Sequence, residues 1–170
     1  QVYVVAPLIE DEEGTSDNEN VIELKEKIDK AFGKYFKSGI LHGKMSKEDK
    51  DSIMDKFKNN EINILISTTV IEVGVDVENA TTMVIWDSYR FGLSQLHQLR
   101  GRVGRNNLQS YCVLVSNKET ERLNILTTTN DGFKVSEEDF KLRGSGDLFG
   151  TRQSGDMQFK IANIKRDFNI

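Results

Sequence analysis

The residues best equipped for chemistry lie in Gln98-Leu-Arg-Gly-Arg-Val-Gly-Arg105. Arg102 and Arg105 are three apart, and on a helix that spacing puts both guanidinium groups on one side. Gly101 and Gly104 carry no side chain, so a backbone or a phosphate can approach closely. Two planar guanidinium forks on one face suit a triphosphate. They pair with phosphate oxygens and stabilise the charge that develops in phosphoryl transfer. Taken alone, a Gly-Arg-x-Gly-Arg string is equally compatible with the solvated basic end of a helix.

A second constellation is Ser67-Thr-Thr-Val-Ile-Glu-Val-Gly-Val-Asp76, which follows the apolar run Ile62–Ile66. Ligands of open α/β sheets gather at the carboxyl ends of strands, where the hydroxyls of Thr68 and Thr69 can bond a phosphate. Gly74 gives the backbone freedom, and Asp76 offers a carboxylate to a ribose hydroxyl or to a partner arginine. The plain alternative is a strand-to-loop turn with ordinary caps. A third, weaker one is Leu41-His-Gly-Lys-Met45. Here His42 and Lys44 can reach a nucleic-acid backbone beside Gly43, or the segment is simply a turn.

A phosphate-cradling loop needs Gly-x-x-x-x-Gly-Lys-Ser/Thr. The nearest string, Gly39-Ile-Leu-His-Gly43-Lys44-Met45, is one residue short and has Met where magnesium needs a hydroxyl. Glu10-Asp-Glu-Glu13 resembles a magnesium-binding acidic motif only superficially and reads as a surface loop. Two histidines and one cysteine, far apart, make no metal cluster. The chain therefore has arginines for a nucleotide but no cradle, and a partner domain is expected to supply one.

Positioning these groups requires a frame. The expected strands are Val2–Ile9, Ser38–Leu41, Ile62–Ser67, Met83–Asp87 and Tyr111–Ser116, apolar enough to be covered on both faces. Between them, Val21, Leu24, Ile28 and Phe32 share one helical face. Ser46-Lys-Glu-Asp49 reads as a capping box before a helix carrying Ile53, Met54 and Phe57. Leu96, Leu99 and Val103 line a third helix, and Leu123 with Leu126 a fourth. Alternation of strands and helices predicts βαβ units and an α/β fold with a mostly parallel central sheet flanked by helices. Asp11–Asn20 reads as a solvated acidic loop. After about Thr128 the strands stop: Ser136-Glu-Glu-Asp139 caps a short helix, Gly144 ends it, and a glycine-punctuated stretch runs to Gly155. Phe159–Ile170 reads as a poorly anchored tail.

The 170 residues suit one domain with its own core, and 37% hydrophobic with 29% charged residues is an ordinary globular balance. A net charge of −4 excludes bulk attraction to polyanions, so nucleic-acid contact must come from a local basic patch. A lone cysteine, Cys112, reads as a buried strand thiol in a reducing compartment. With no signal peptide and no apolar run of ~20 residues, a cytoplasmic, non-membrane protein is expected. The strand-like start Gln1–Val5 suggests a piece of a longer chain.

Together, Leu41–Met45, Ser67–Ala80 and Gln98–Arg105 resemble motifs IV, V and VI of superfamily 2 helicases, in the right order. The stretch from Arg90 to Arg105 resembles RecG-type helicases and transcription-repair coupling factors more than RNA helicases. Asp131-Gly-Phe through Arg143 to Gly155 is similar to the translocation motif those two share. Ser94, His97 and Gly150-Thr-Arg-Gln-Ser-Gly155 favour the RecG type. The resemblance implies a RecA-like (P-loop NTPase-like) domain over 1–128, a helical hairpin and loop over 129–158, and a tail over 159–170. It implies that Arg102 and Arg105 are arginine fingers, with Gly74, Asp76, Gln98 and Gly101 at the ATP site or coupling it to DNA. His42, Gly43, Thr68 and Thr69 would then face DNA, and Arg143, Gly150, Arg152 and Gln153 would serve the translocation loop. ATP with Mg2+ would be held mainly by a first motor domain of the same polypeptide. A wedge domain, absent from this chain, would recognise branched DNA such as stalled forks and Holliday junctions, in a bacterial enzyme expected to be monomeric. The chain by itself is expected not to hydrolyse ATP. Two other readings stay open. A coupling-factor translocase would have a polymerase-binding domain upstream. A non-catalytic RecA-like scaffold would have no phosphate loop upstream.

Overall fold

The computed structural model describes residues 1–7, 17–68, 77–104 and 107–143, with the backbone alone for 17–20 and 143. The described chain runs β1 (Val2–Ala6), α1 (Asp17–Phe32), β2 (Ser38–Leu41), α2 (Lys47–Lys58), β3 (Ile64–Thr68) and β4 (Thr82–Ile85). A 3-10 turn (Ser88–Arg90), α3 (Leu93–Arg100), β5 (Tyr111–Leu114), α4 (Glu121–Thr128) and α5 (Gly132–Arg143) follow. The strands form one sheet in the order β2-β3-β1-β4-β5, every described pair parallel. The α/β expectation holds. The chain winds from β1 outward to β2, returns through β3, and then crosses to β4 and β5. The carboxyl ends of the central strands thus lie at a topological switch point, where open α/β sheets bind their ligands.

Alternate strand residues feed two core layers. Tyr3, Val5, Leu65, Met83 and Ile85 pack with Met54 and Phe57 of α2, Leu93, Leu96 and Leu99 of α3, Leu123 and Leu126 of α4, and Val135 of α5. On the other face Val4, Ala6, Ile64 and Ile66 meet Val21 and Leu24 of α1. Ser46 caps α2 as expected, accepting from the Asp49 backbone N–H at 3.1 Å. Thr120 likewise caps α4, accepting from Leu123 at 3.4 Å.

Several expectations are corrected. β3 starts at Ile64 rather than Ile62, because α2 ends with Asn60 in the left-handed region (φ 59°) and Ile62 still bonds back to Lys56. β4 stops at Ile85, since Asp87 is left-handed (φ 48°) and Ser88 turns to bond Val115. β5 stops at Leu114. β1 ends at Ala6, and residues 8 and 9 lie outside the described residues, as does most of the 11–20 loop expectation; α1 already begins at Asp17. Phe32 shares the face of Val21 and Leu24 yet is half exposed. Ser136 caps nothing. α5 begins at Gly132, where Asp131 accepts from the Phe133 N–H at 2.9 Å, and Ser136 lies inside the helix with its hydroxyl donating to the Gly132 carbonyl. The strands are also not all covered on both faces: along β5, Tyr111 and Val113 are exposed.

Candidate functional site

β2 and β3 bring two of the sequence constellations together. Leu41 pairs with Ser67 in the parallel ladder, so His42 and Thr68 emerge side by side at the carboxyl edge. Ser67 and Thr68 are buried. Two buried polar atoms there, His42 Nδ1 and Ser67 Oγ, have no hydrogen-bond partner among the described residues. Such atoms are costly to leave unpaired and mark a place where a ligand or another segment belongs. Gly43 follows in a turn closed by Met45 N–H to His42 O at 3.2 Å. Lys50 donates to the Gly43 carbonyl at 3.0 Å, and a side chain at Gly43 would meet open space. Lys44 and Lys50, beside His42 and Gly43, thus form a small cationic rim on an acidic molecule, the electrostatic footprint a phosphate backbone needs. Gly39 lies on β2, so the near-miss phosphate-loop string is strand and turn.

Burial, reinforced by Lys50 and Lys44, lowers the pKa of His42 below its ordinary 6.5. The folded chain therefore holds His42 neutral more firmly than the unfolded chain does. Its contribution to stability is present above pH 6.5 and is lost as pH falls through that value toward the lowered one. Urea unfolding across pH 5–7.5 should show this slope, and His42→Gln should flatten it.

The arginine string departs from the simplest expectation. α3 ends at Arg100, with Gly101 as its cap. The Arg102 N–H bonds back to Leu99 O at 3.0 Å, Val103 N–H to Arg100 O at 3.4 Å, and Gly104 then takes φ +82°. Arg102 therefore sits in a turn beyond the helix. The premise that Arg102 and Arg105 share a helical face is corrected, because a left-handed residue between them ends helical geometry. Gln98 is exposed on α3 and Arg102 is partly exposed just beyond its end, so both are accessible to a partner. A side chain at Gly101 would meet only ordinary contacts, whereas Gly104 is needed for its backbone. Gly104→Ala should cost about 1 kcal/mol, the usual penalty of an L-residue in this region, readable as a lower thermal midpoint.

Arg100 was passed over in the sequence. It is half-buried, and its Nη1 donates to the carbonyls of Leu126 (2.7 Å) and Thr129 (2.8 Å), capping the end of α4. Its Nη2 lies 3.0 Å from His97 Nδ1. Guanidinium only donates, so His97 Nδ1 accepts and the ring proton is on Nε2. That edge of His97 faces Gly132, where an added Cβ would lie 3.0 Å from Nε2. Gly132 thus allows α5 to approach α3. Arg100, His97 and Gly132 join the helix that carries Gln98 to the α4–α5 hairpin. The available signal was the position of Arg100 on the Leu96/Leu99 side of the helix, turned inward. Cys112, half-buried on β5, has its thiol pKa raised by burial.

Thr69, Gly74, Asp76, Arg105, Gly150, Arg152 and Gln153, and the side chain of Arg143, lie outside the described residues. Among the described residues no group of three or more His, Cys, Asp or Glu could hold a metal, and no helix is long and apolar enough to cross a membrane.

Residues 8–107 match the model of the helicase conserved C-terminal domain, and residues 129–170 match that of ATP-dependent DNA helicase RecG, domain 3, C-terminal. Over its whole length the chain is 54% identical to the ATP-dependent DNA helicase RecG of Staphylococcus epidermidis and 52% identical to that of Staphylococcus aureus. It spans 25% of the length of each. A solved structure of RecG bound to a three-way DNA junction superposes with TM-score 0.70 at 43% identity, covering 98% of this chain and 21% of that one. The C-terminal domain of the DEAD-box protein Dbp5 shares the fold (TM-score 0.50, 18% identity, 84% of this chain and 70% of that one). The chain belongs to the helicase conserved C-terminal domain family, and within it to the RecG type.

Proposed function

We propose that this chain is the second motor domain of an ATP-dependent DNA translocase that remodels branched DNA, including stalled forks and Holliday junctions, in recombination and repair. The observation that carries this reading is Arg100, bonded at 2.7 and 2.8 Å to the carbonyls of Leu126 and Thr129. Through it the helix bearing Gln98 is built into the same rigid unit as the α4–α5 hairpin, so a shift of the arginine turn also shifts the hairpin.

In this account Arg102 and Arg105 are presented to the triphosphate of ATP held by a first motor domain of the same polypeptide. That domain would also bind the Mg2+. ATP supplies the phosphoryl group whose transfer to water drives domain closure. Gln98, Gly101, Gly74 and Asp76 line or couple that site. His42, Gly43, Thr69 and the polar end of β3 at Thr68 hold the DNA backbone. Thr68 is buried, so its part is to shape the strand end more than to touch phosphate through a free hydroxyl. Residues 1–128 form the RecA-like unit and 129–158 the translocation element, whose Arg143, Gly150, Arg152 and Gln153 meet duplex DNA. A monomer working in the bacterial cytoplasm completes the proposal.

The test is Gln153→Ala in the intact protein. Fork unwinding should fall well below that of the parent while ATP binding is retained. Unchanged DNA-stimulated ATPase together with unchanged unwinding would remove the translocation role.

A further inference from the structure

Every described strand pair is parallel, so all five carboxyl ends share one edge of the sheet. Lys44 and Lys50 mark that edge beyond β2. A second pair of cations stands at its other end. The segments leaving β4 and β5 are stitched together there: the N–H and the hydroxyl of buried Ser88 both donate to the Val115 carbonyl, at 2.8 and 3.1 Å. Ser116 fixes the next turn. Its hydroxyl accepts from the Lys118 N–H at 3.1 Å and donates to the Lys118 carbonyl at 2.6 Å. Lys118 Nζ lies 4.9 Å from the centre of the Tyr89 ring. The Arg90 guanidinium lies 5.6 Å from the same centre, and its Nε donates to the Tyr89 hydroxyl at 3.2 Å. Tyr89 itself packs against the core.

One ring rooted in the core thus holds two exposed cations. Cations already held over a ring lose less freedom on meeting a phosphate than loose surface lysines do. Beside Lys118 a cleft of about 330 Å³ opens between its loop and α4, lined in part by Ser116, Asn117, Asn124 and Thr127, with Glu119 its one carboxylate. Amides and hydroxyls of this kind bond phosphate oxygens and sugars.

We propose that the Tyr89–Arg90–Lys118 cluster is a second contact for a DNA backbone, so that the duplex lies along the carboxyl edge from β2 to β5. This rests on the translocase reading above and extends it to residues that the strand-end constellations did not include. The spacing fits. From β2 to β5 is four strand spacings, roughly 19 Å. A duplex strand presents a phosphate every ~3.4 Å along its axis, so a backbone segment of about six phosphates reaches from one cluster to the other. Both clusters also stand on the same side of the edge. The turn at Lys44 leads into α2, and Tyr89 packs against the layer that holds α2, α3 and α4. Asp87, the carboxylate at the end of β4, instead lines a small cleft with Glu23 and Lys27 of α1, on the other side of the sheet.

The test is the salt dependence of binding. In the intact protein, affinity for a fluorescein-labelled forked DNA is followed by anisotropy from about 50 to 200 mM salt. Each phosphate contact contributes about 0.9 to the slope of log affinity against log salt. Lys118→Gln should make that slope shallower by about 0.9, Lys44→Gln should do the same, and the double variant should lose about 1.8. Lys27→Gln removes the same charge from the α1 side and should keep the parent slope. A parent slope in Lys118→Gln beside a reduced one in Lys44→Gln would overturn this inference and leave the translocase reading standing. Parent slopes in both would overturn the contacts at both ends and count against DNA on this edge altogether. An equal loss in Lys27→Gln would reduce the effect to bulk charge and would also overturn the second contact.

Discussion

Arg105→Ala in the intact protein should lower DNA-stimulated ATP turnover by about 10³-fold or more, the scale on which arginine fingers act, while ATP binding changes little. The reason lies in where charge develops. A guanidinium that reaches across from a second domain meets the phosphoryl oxygens most strongly as the bond to the leaving group breaks, so its removal raises the barrier more than it weakens the ground state. Gly104, left-handed at φ +82°, redirects the chain between Arg102 and Arg105. The two arginines are therefore not interchangeable neighbours on a helix, and Arg102→Ala should differ in size from Arg105→Ala. Equilibrium binding of a fluorescent ATP analogue beside steady-state turnover separates the cases. Equal loss of binding and turnover would make Arg105 a ground-state clamp.

Arg100→Leu should uncouple the hairpin from α3 and destabilise the chain by about 2 kcal/mol, since two charge-assisted hydrogen bonds to backbone carbonyls are lost. For a domain of this size that corresponds to a thermal midpoint roughly 6 °C lower. Arg100→Lys should not recover the loss. An ammonium can reach one carbonyl, but it lacks the planar fork that serves Leu126 O, Thr129 O and His97 Nδ1 at once. In the intact protein the same variant should keep most of its ATPase and lose more of its unwinding, because the nucleotide-facing residues are untouched while the link to the hairpin is cut. If both activities fell in parallel, Arg100 would belong to the nucleotide site instead.

Much of the frame was legible from pattern alone. Five apolar runs became the five described strands, and the Ser46 capping box marked the start of α2. Boundaries slipped where single residues in the left-handed region, Asn60 and Asp87, redirected the chain, because nothing in a hydrophobic pattern announces them. Ser136 misled for a related reason. A Ser-Glu-Glu-Asp string signals a cap only if no earlier residue has started the helix, and Asp131 had. For the site, His42 and Thr68 were read as strand-end residues, and the parallel register of β2 and β3 explains why those two ends meet. The helical spacing of Arg102 and Arg105 was read one turn too far. Arg100 escaped notice because its role depends on carbonyls 26 and 29 residues away, contacts that only the folded chain displays.

The central claim is that this chain holds one half of a split ATP site. The direct measurement is DNA-stimulated ATP hydrolysis by the 170-residue chain, beside that of the polypeptide encoded together with its upstream sequence. The account predicts no turnover by the chain and DNA-stimulated turnover by the longer polypeptide. Measurable DNA-stimulated hydrolysis by the chain alone would contradict it.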